Sequence, residues 1–503
     1  MLELEAQLQR YFDFSTFRPG QREVIEDVMS GYHVFAMLPT GSGKSLCYLM
    51  AGYQLQGLVI IVSPLLSLME DQVQHIRLYG EKRVAALNSF LSYEEREQVL
   101  QRLQEQELRF LFVSPEMLQS RLLLDKLRKV NVVLFTVDEA HCVSQWGYEF
   151  RPDYLKLADV RKQLADPPCL ALTATADQHV REDIITKLKM ENCREHIYSV
   201  DRQNIALGVE SVQGVLGKQQ RLIELVNTLE GPGIIYFSVR EWTEEGAECI
   251  RAQTGVRVAA YHGGMANEER RLIQNQFLND EIDVVCCTNA FGMGVDKPNI
   301  RYVIHFHYPK HMNAYLQEIG RAGRDGKPSL AIVLHTETDH ELPLYMLQRE
   351  YPTEKQLDQV FMGYAKDQEG KEKVFKLALE VGCSETAARF LQEHINWGEP
   401  GLDRYSLKQR IRQHIQERLA IKTKALKEFQ HWLVNDSCRR AGVLTLYGEE
   451  LVQKPKRCCD HCGFSLDDFI RQKMVGDSDV MMPWSKRLRM LLDQKEGSDG
   501  KKD

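Results

Sequence analysis

Cysteine, glycine and a surplus of charge are all in short supply in this chain. Cys 12 and Gly 33 in 503 residues exclude a disulfide-built scaffold and a collagen-like protein. Lys+Arg total 64 against 71 for Asp+Glu, a formal net charge of −7, so the chain does not coat nucleic acid by bulk positive charge. A nucleic-acid enzyme stays open, because its basic groups need only line one channel. The first ten residues carry Glu3 and Glu5 and no apolar run behind a basic start, which argues against a secretory leader. One stretch lacks charged residues, from Ser45 to Met69. Gln54, Gln56 and Pro64 interrupt it, and it reads as a helix, a turn at Gln56-Gly57 and a buried strand Leu58–Val62 rather than as a membrane span. With mostly scattered cysteines, these absences point to a reducing cytoplasm.

What is present is ordinary globular material, 43% hydrophobic and 27% charged, in a length that suggests three or four domains at about 150 residues each. Apolar β-rich runs at His33–Leu38, Leu58–Val62, Leu108–Val113, Val132–Val137 and Cys169–Leu172 alternate with helical patterns. The rhythm restarts near residue 204, with runs at Gly233–Phe237, Val256–Ala260, Ile282–Cys287, Tyr302–His307 and Leu330–Leu334. Such alternation predicts an α/β protein with two parallel-sheet units, over residues 1–200 and 201–336. Beyond 336 the strand pattern stops. A helical stretch over 337–401 contains a possible helix-turn-helix in Lys371–Leu391, with its turn at Val381-Gly382-Cys383 and Ser384 as N-cap. Its second helix is not basic, which favours packing or protein contact over groove reading. From Asp403 to Leu433 an apolar stripe of Leu407, Ile411, Ile415, Leu419, Leu426, Phe429 and Leu433 predicts one long amphipathic helix with a basic outer face. It opens a unit over 402–470, followed by a charged tail, 471–503.

Pro39-Thr40-Gly41-Ser42-Gly43-Lys44-Ser45 stands between a predicted strand and a predicted helix. Glycines let such a loop curl its N–H groups toward phosphate oxygens, Lys44 suits the β/γ-phosphates, and the Ser45 hydroxyl suits Mg²⁺. Leu38 occupies the place where the generic pattern has a leading glycine. The strand Val132–Val137 delivers Asp138 and Glu139 at its C-terminal end, where parallel sheets bind ligands. Neighbouring strand residues point opposite ways, so Asp138 can steer Mg²⁺ while Glu139 polarises the attacking water. In the second unit, Arg321 and Arg324 are read as two residues on one helical face that could stabilise charge on a transferring phosphoryl group.

Phe17-Arg18-Pro19-Gly20-Gln21, the Lys44 loop, Asp138-Glu139-Ala140-His141, Thr173-Ala174-Thr175 and Gln317–Arg324 occur in an order that resembles superfamily 2 helicases, whose usual phosphate loop lacks the leading glycine. Cys142–Pro152, with Trp146 and Phe150, and Ala290–Pro298 are similar to segments of RecQ-type DNA helicases, and the chain looks most like their short bacterial, RecS-type members. The resemblance implies two tandem RecA-like domains. It casts Phe14, Arg18 and Gln21 as adenine-recognition residues and Thr173 and Thr175 as coupling residues. It also casts His141, Gln145, Trp146, Phe150 and Arg151 as the segment that senses DNA, and Thr288 and Asp296 as a bridge between nucleotide, DNA and the other lobe. Trp146 and Phe150 carry their own argument, since aromatic stacking on bases tolerates any sequence. The implied activity is ATP-dependent, 3′-to-5′ unwinding of DNA in recombination, repair or replication restart, at the bacterial nucleoid. Single-stranded and forked or tailed duplex DNA are the implied partners, with single-strand-binding protein and other repair proteins beside them and no membrane. An RNA helicase, or a DNA-binding recruiter with weak unwinding, is the alternative.

Eight cysteines are scattered; Cys438, Cys458, Cys459 and Cys462 are not. Four thiolates suit tetrahedral Zn²⁺ in a closed, structural site, with redox chemistry as the alternative. Cys438, placed by the pattern at the end of a helix, and the Cys-Arg-Arg and Cys-Asp-x-Cys strings resemble the zinc module of the RecQ family. Two features depart from it. Cys458 and Cys459 are adjacent, so that His461 could replace one of them, and the link over 337–437 is longer than usual.

Overall fold

The computed structural model describes residues 2–64, 66–88, 91–144, 152–291, 297–363, 371–396 and 403–470. The first lobe is a seven-stranded parallel sheet: β1 Val34–Met37, β2 Leu58–Val62, β3 Val84–Leu87, β4 Phe110–Val113, β5 Val132–Val137, β6 Cys169–Thr173 and β7 Arg194–Ile197, in the order β3-β4-β2-β5-β6-β1-β7. The second is a six-stranded parallel sheet: β8 Ile205–Ser211, β9 Gly233–Tyr236, β10 Val258–Tyr261, β11 Val284–Cys287, β12 Tyr302–His305 and β13 Ser329–His335, in the order β10-β11-β9-β12-β13-β8. Counted from its own first strand, the second sheet repeats the order of the first, which adds only the edge strand β7. The shared layout expected from the strand rhythm is therefore a shared topology, and the parallel-sheet pair is as read.

The charge-free stretch is a helix, Ser45–Gln54, followed by β2. All five residues of β2 are buried, and Leu46 through Gly52 are buried on successive faces of the helix, between the sheet and the helix Gln21–Met29. A segment enclosed on every side has no use for charge. Among the described residues no helix is long and apolar enough to cross a membrane.

Three strands have no counterpart in the sequence reading. β3 is short and alanine-centred, β7 is a mostly exposed edge strand of sequence Arg-Glu-His-Ile, and β8 lies just past the joint between the two units. Beyond β13 the chain is helical. Lys371–Glu380 and Glu385–Asn396 form the expected pair, and Ser384 Oγ accepts the Ala387 N–H at 3.1 Å as its cap. The long helix runs Arg404–Val434, capped by Asp403, whose carboxylate accepts the Ser406 N–H at 2.8 Å. Its 31 residues span about 46 Å. Leu407, Ile411 and Ile415 lie in the core of the helical region, while Leu426, Phe429, Trp432 and Leu433 lie in the core shared by the two lobes.

Candidate functional site

The phosphate loop leaves β1 and enters the helix Ser45–Gln54 through Gly41 (φ +79°) and Gly43 (φ +75°), conformations that disfavour any side chain. The carbonyls of Thr40, Gly41, Ser42 and Gly43 are all engaged. Gln21 Nε2 donates to Ser42 O at 2.7 Å and Gly43 O at 3.1 Å, Arg18 donates to Gly41 O, and Arg202 Nη1 donates to Thr40 O at 2.8 Å. In a planar trans peptide the following N–H points the other way, so the N–H groups of Gly41, Gly43 and Lys44 point away from the donors that hold the preceding carbonyls. Gln21 is buried, its Oε1 taking the Arg18 N–H at 2.9 Å, so both ends of its amide are spent on shaping this segment. Phe14 is half-exposed. Lys44 Nζ is 3.5 Å from Leu38 O.

β5 ends at Asp138 and Glu139. Burial, and next the neighbouring Glu139, push the Asp138 carboxyl up to about 7, while the Lys44 ammonium pulls it down. A partly buried acid facing a lysine and a second acid is suited to a divalent cation. Glu139 holds a left-handed backbone, φ +48°, rare for a residue with a side chain, which is how a strand end can present two acids in different directions. Its Oε2 is buried without a hydrogen bond and lies 3.4 Å from His141 Nδ1. The same ring nitrogen is 3.1 Å from Thr173 Oγ1, and that hydroxyl donates to Thr175 O at 3.2 Å. One imidazole thus lies between Glu139 and the end of β6, bonded to Thr173 and in contact with the carboxylate.

The second lobe closes on the loop. A Cβ at Gly320 would sit 1.7 Å from Thr40 Oγ1, so only glycine lets this segment seat there. The stem of Arg324 packs at Gly41, 3.1 Å from where a Cβ would stand. The expectation that Arg321 and Arg324 share a helical face is corrected: the helix Met312–Ile319 stops at Gly320, and both arginines lie in the turns beyond it. Arg321 is buried and points elsewhere, Nε donating to the Tyr236 hydroxyl at 2.8 Å.

Arg202 is the residue the sequence reading missed. Besides Thr40 O, its guanidinium donates to Gly320 O (3.2 Å), Ala322 O (3.1 Å) and Gly323 O (2.8 Å), tying the phosphate loop to the Arg324 segment. Burial first, then the guanidiniums of Arg324 and Arg18, push it down to about 10. Three arginines therefore crowd one loop, an arrangement that a polyanion would relieve. The polar run Asp201-Arg202-Gln203-Asn204 at the joint between two strand series was the available signal.

Thr288 is buried just past β11, its Oγ1 accepting the Ala290 N–H at 3.4 Å. Gln145, Trp146, Phe150, Arg151 and Asp296 lie outside the described residues.

The sulfurs of Cys438, Cys458, Cys459 and Cys462 all lie within 4.8 Å of one another, and His461 is not in the group. Cys438 Sγ is 3.7 Å from Cys458 Sγ and 3.8 Å from Cys459 Sγ. A tetrahedron with Zn–S bonds of about 2.3 Å has edges of about 3.8 Å, whereas a disulfide needs about 2.05 Å. The thiols suit zinc and not a bridge. Cys438 is corrected from a helix end to a helix start: it is the N-cap of Arg439–Leu446. The adjacent arginines anchor the module. Arg439 pairs with Asp460, and Arg440 donates to Asp201, to Ile205 O at 2.5 Å, to Arg202 O at 3.2 Å and to Cys458 O at 3.3 Å.

Residues 18–184 match the DEAD/DEAH box helicase family model and residues 217–326 match the helicase conserved C-terminal domain. The chain is 44% identical over 498 residues, covering 98% of both chains, to the Bacillus subtilis protein named "Probable ATP-dependent DNA helicase RecS". It is 38% identical over 354 residues to ATP-dependent DNA helicase RecQ of Haemophilus influenzae, covering 70% of this chain and 56% of that one. ATP-dependent DNA helicase RecQ of Bacillus subtilis is also 38% identical, with 69% and 59% covered, so the chain spans a little over half the length of these RecQ relatives. Among solved structures, the DUF1998 helicase MrfA bound to DNA superposes with a TM-score of 0.57 at 20% identity, over 67% of this chain and 51% of that one. The DEAD-box helicase Mss116 bound to ssRNA gives 0.56 at 16% identity, over 82% and 88%. These two speak to the fold alone.

Proposed function

The chain belongs to the RecQ family of ATP-dependent DNA helicases, and from that premise we propose that it uses ATP held between its lobes to move 3′ to 5′ along single-stranded DNA and part the duplex ahead. The observation that carries the reading is Arg202, which bonds the phosphate loop and the Arg324 segment at once and so makes one cleft of two lobes. Residues 1–200 and 201–336 supply the cleft, 337–401 the helical insertion, 402–470 the long helix with the metal module, and 471–503 a tail.

Phe14 and Arg18 form the adenine side, Gln21 shapes the loop beside them through Ser42 O and Gly43 O, and the N–H groups of Gly41, Gly43 and Lys44 with the Lys44 ammonium hold the phosphates. Ser45 and Asp138 would hold Mg²⁺, which would neutralise phosphate charge. Glu139 takes a proton from the attacking water, and Arg324, backed by Arg202, meets the charge that develops on the γ-phosphoryl group. Domain closure then aligns groups from both sides, and product release lets them part. Because Glu139 reaches Thr173 through His141, a shift at β6 moves the base, which is a route for DNA occupancy to speed hydrolysis. Gln145, Trp146, Phe150 and Arg151 complete that route on the DNA side, and Thr288 and Asp296 serve the second lobe. Cys438, Cys458, Cys459 and Cys462 hold Zn²⁺ in a closed structural site. Forked or tailed duplexes, single-strand-binding protein and other repair proteins are the partners proposed, at the bacterial nucleoid. The DNA-helicase names of the relatives do not favour RNA as substrate.

The test compares ATP hydrolysis with single-stranded DNA and with RNA, and unwinding of 3′-tailed and 5′-tailed duplexes. Stimulation by DNA and a 3′-tail requirement are expected; preferential stimulation by RNA, or indifference to the tail, would reject the reading.

A further inference from the structure

A second cavity, of about 560 Å³, lies between the second lobe and the helical region, and none of its lining residues comes from the phosphate loop. Pockets of about 300–1,000 Å³ are the size that encloses a small ligand. One wall is the C-terminal edge of the second sheet, with Ser238 just past β9 and Asn289 just past β11. The facing wall comes from the helix Glu385–Asn396 and the long helix, which contribute Phe390, His394, His414 and Lys422.

The rings on that facing wall are ordered. Phe390 and His394 stack with centroids 4.0 Å apart and planes 27° apart, and His414 lies 4.9 Å from His394 and within 9° of the plane of Phe390. Burial pushes His394 down to about 4, so near neutral pH its ring is uncharged, with Nδ1 donating to Phe390 O at 2.8 Å, and burial lowers His414 as well. Beside them, Lys310 and Lys422 share the one carboxylate of Glu350, which their charges hold below its ordinary range. The rest of the lining sets Arg321 and Arg418 against Glu318 and Glu393, so two ammonium groups against the one carboxylate of Glu350 leave a net positive charge next to the flat stack. Flat rings beside cations are the chemistry that takes a nucleobase together with its phosphate.

We propose that this cavity holds one nucleotide of the tracked single strand, its base against the Phe390, His394 and His414 rings and its phosphate toward Lys310 and Lys422. The proposal rests on the DNA-helicase reading and adds to it a station outside the two lobes, built by the helical insertion. A free mononucleotide offers the same chemistry. The strand is preferred because the cavity wall is the edge of the sheet where parallel α/β domains meet their ligands.

Oligodeoxythymidylate carrying a single 5-iododeoxyuridine, placed in turn at each position, would be photo-crosslinked to the full chain and mapped by mass spectrometry. At one label position, crosslinks should fall in peptides covering 385–396 or 404–422; crosslinks confined to the two lobes would overturn the proposal. Thymidine monophosphate should compete only at far higher concentration than the oligonucleotide, and equal competition would make the occupant a free nucleotide and overturn it. Replacing both histidines (His394→Ala with His414→Ala) should weaken oligonucleotide binding about five- to hundredfold, and His394→Phe with His414→Phe should restore it. Unchanged binding in a doubly substituted chain that melts like the parent counts against the proposal. A chain that binds no oligonucleotide defeats the helicase reading and this one together, whereas binding with crosslinks only in the lobes defeats this one alone.

Discussion

Arg440 donates to the main-chain carbonyl of Arg202 at 3.2 Å, and the Arg202 side chain donates to Thr40 in the phosphate loop at 2.8 Å. The cysteine module and the nucleotide cleft are therefore two bonds apart, although 238 residues separate these two arginines in the chain.

Arg440 is buried, and Asp201 faces it. Replacing it with alanine leaves that carboxylate and several carbonyls without their cation, which should cost about 3–5 kcal/mol in denaturant unfolding. ATP hydrolysis should fall in the same variant, because the segment that presents Arg202 loses its support. Full stability, measured by urea titration, would count against the link.

Metal removal should act by the same path. A strong chelator, or Cys459→Ser, is expected to strip one zinc per chain by elemental analysis, lower the melting temperature and cut DNA-stimulated hydrolysis, since folding energy in such modules comes from the metal. Wild-type melting in metal-free protein would show that the four thiols hold no structural ion.

Arg202→Lys should be nearly as damaging as Arg202→Ala. A single ammonium cannot reproduce a planar fork that meets four carbonyls. Steady-state kinetics should show kcat down about 10²–10³-fold. If lysine restores activity, the bridge is a matter of charge alone.

The two arginines of the second lobe should separate. Arg324→Lys is expected to lower kcat about 10³-fold, as loss of an arginine finger does, with ATP affinity less affected. Arg321→Lys should lose less and should resemble Tyr236→Phe, because Arg321 rests on that hydroxyl. Equal losses at 321 and 324 would mean that both reach the nucleotide in the working cycle.

Thr173→Val removes the hydroxyl between His141 and Thr175 and keeps the shape. Losing the hydroxyl's bonds to His141 and Thr175 should reduce DNA stimulation of hydrolysis by roughly tenfold or more. DNA-free hydrolysis, measured in parallel, should change less.

Much of this was legible in the residues. Buried parallel strands such as Leu-Val-Ile-Ile-Val of β2 announce themselves, as do Lys44 and the Asp138-Glu139 pair, because their chemistry forces a local pattern. Arg202 was not legible, since its meaning lies in four carbonyls that come from residues 40 and 320–323 and meet only when the lobes close. Arg321 was misread for a related reason: a helical spacing continues on paper through Gly320, where the helix itself stops. β7 escaped notice because an edge strand open to water carries no apolar signature.

The long helix is shared property. Ile415 belongs to the helical region's core and Leu426 to the core of the lobes, with barely three turns of backbone between them. Neither region can come apart without disturbing the other, so scanning calorimetry should record a single endotherm. A protease cut between Ile415 and Leu426 should split that endotherm in two.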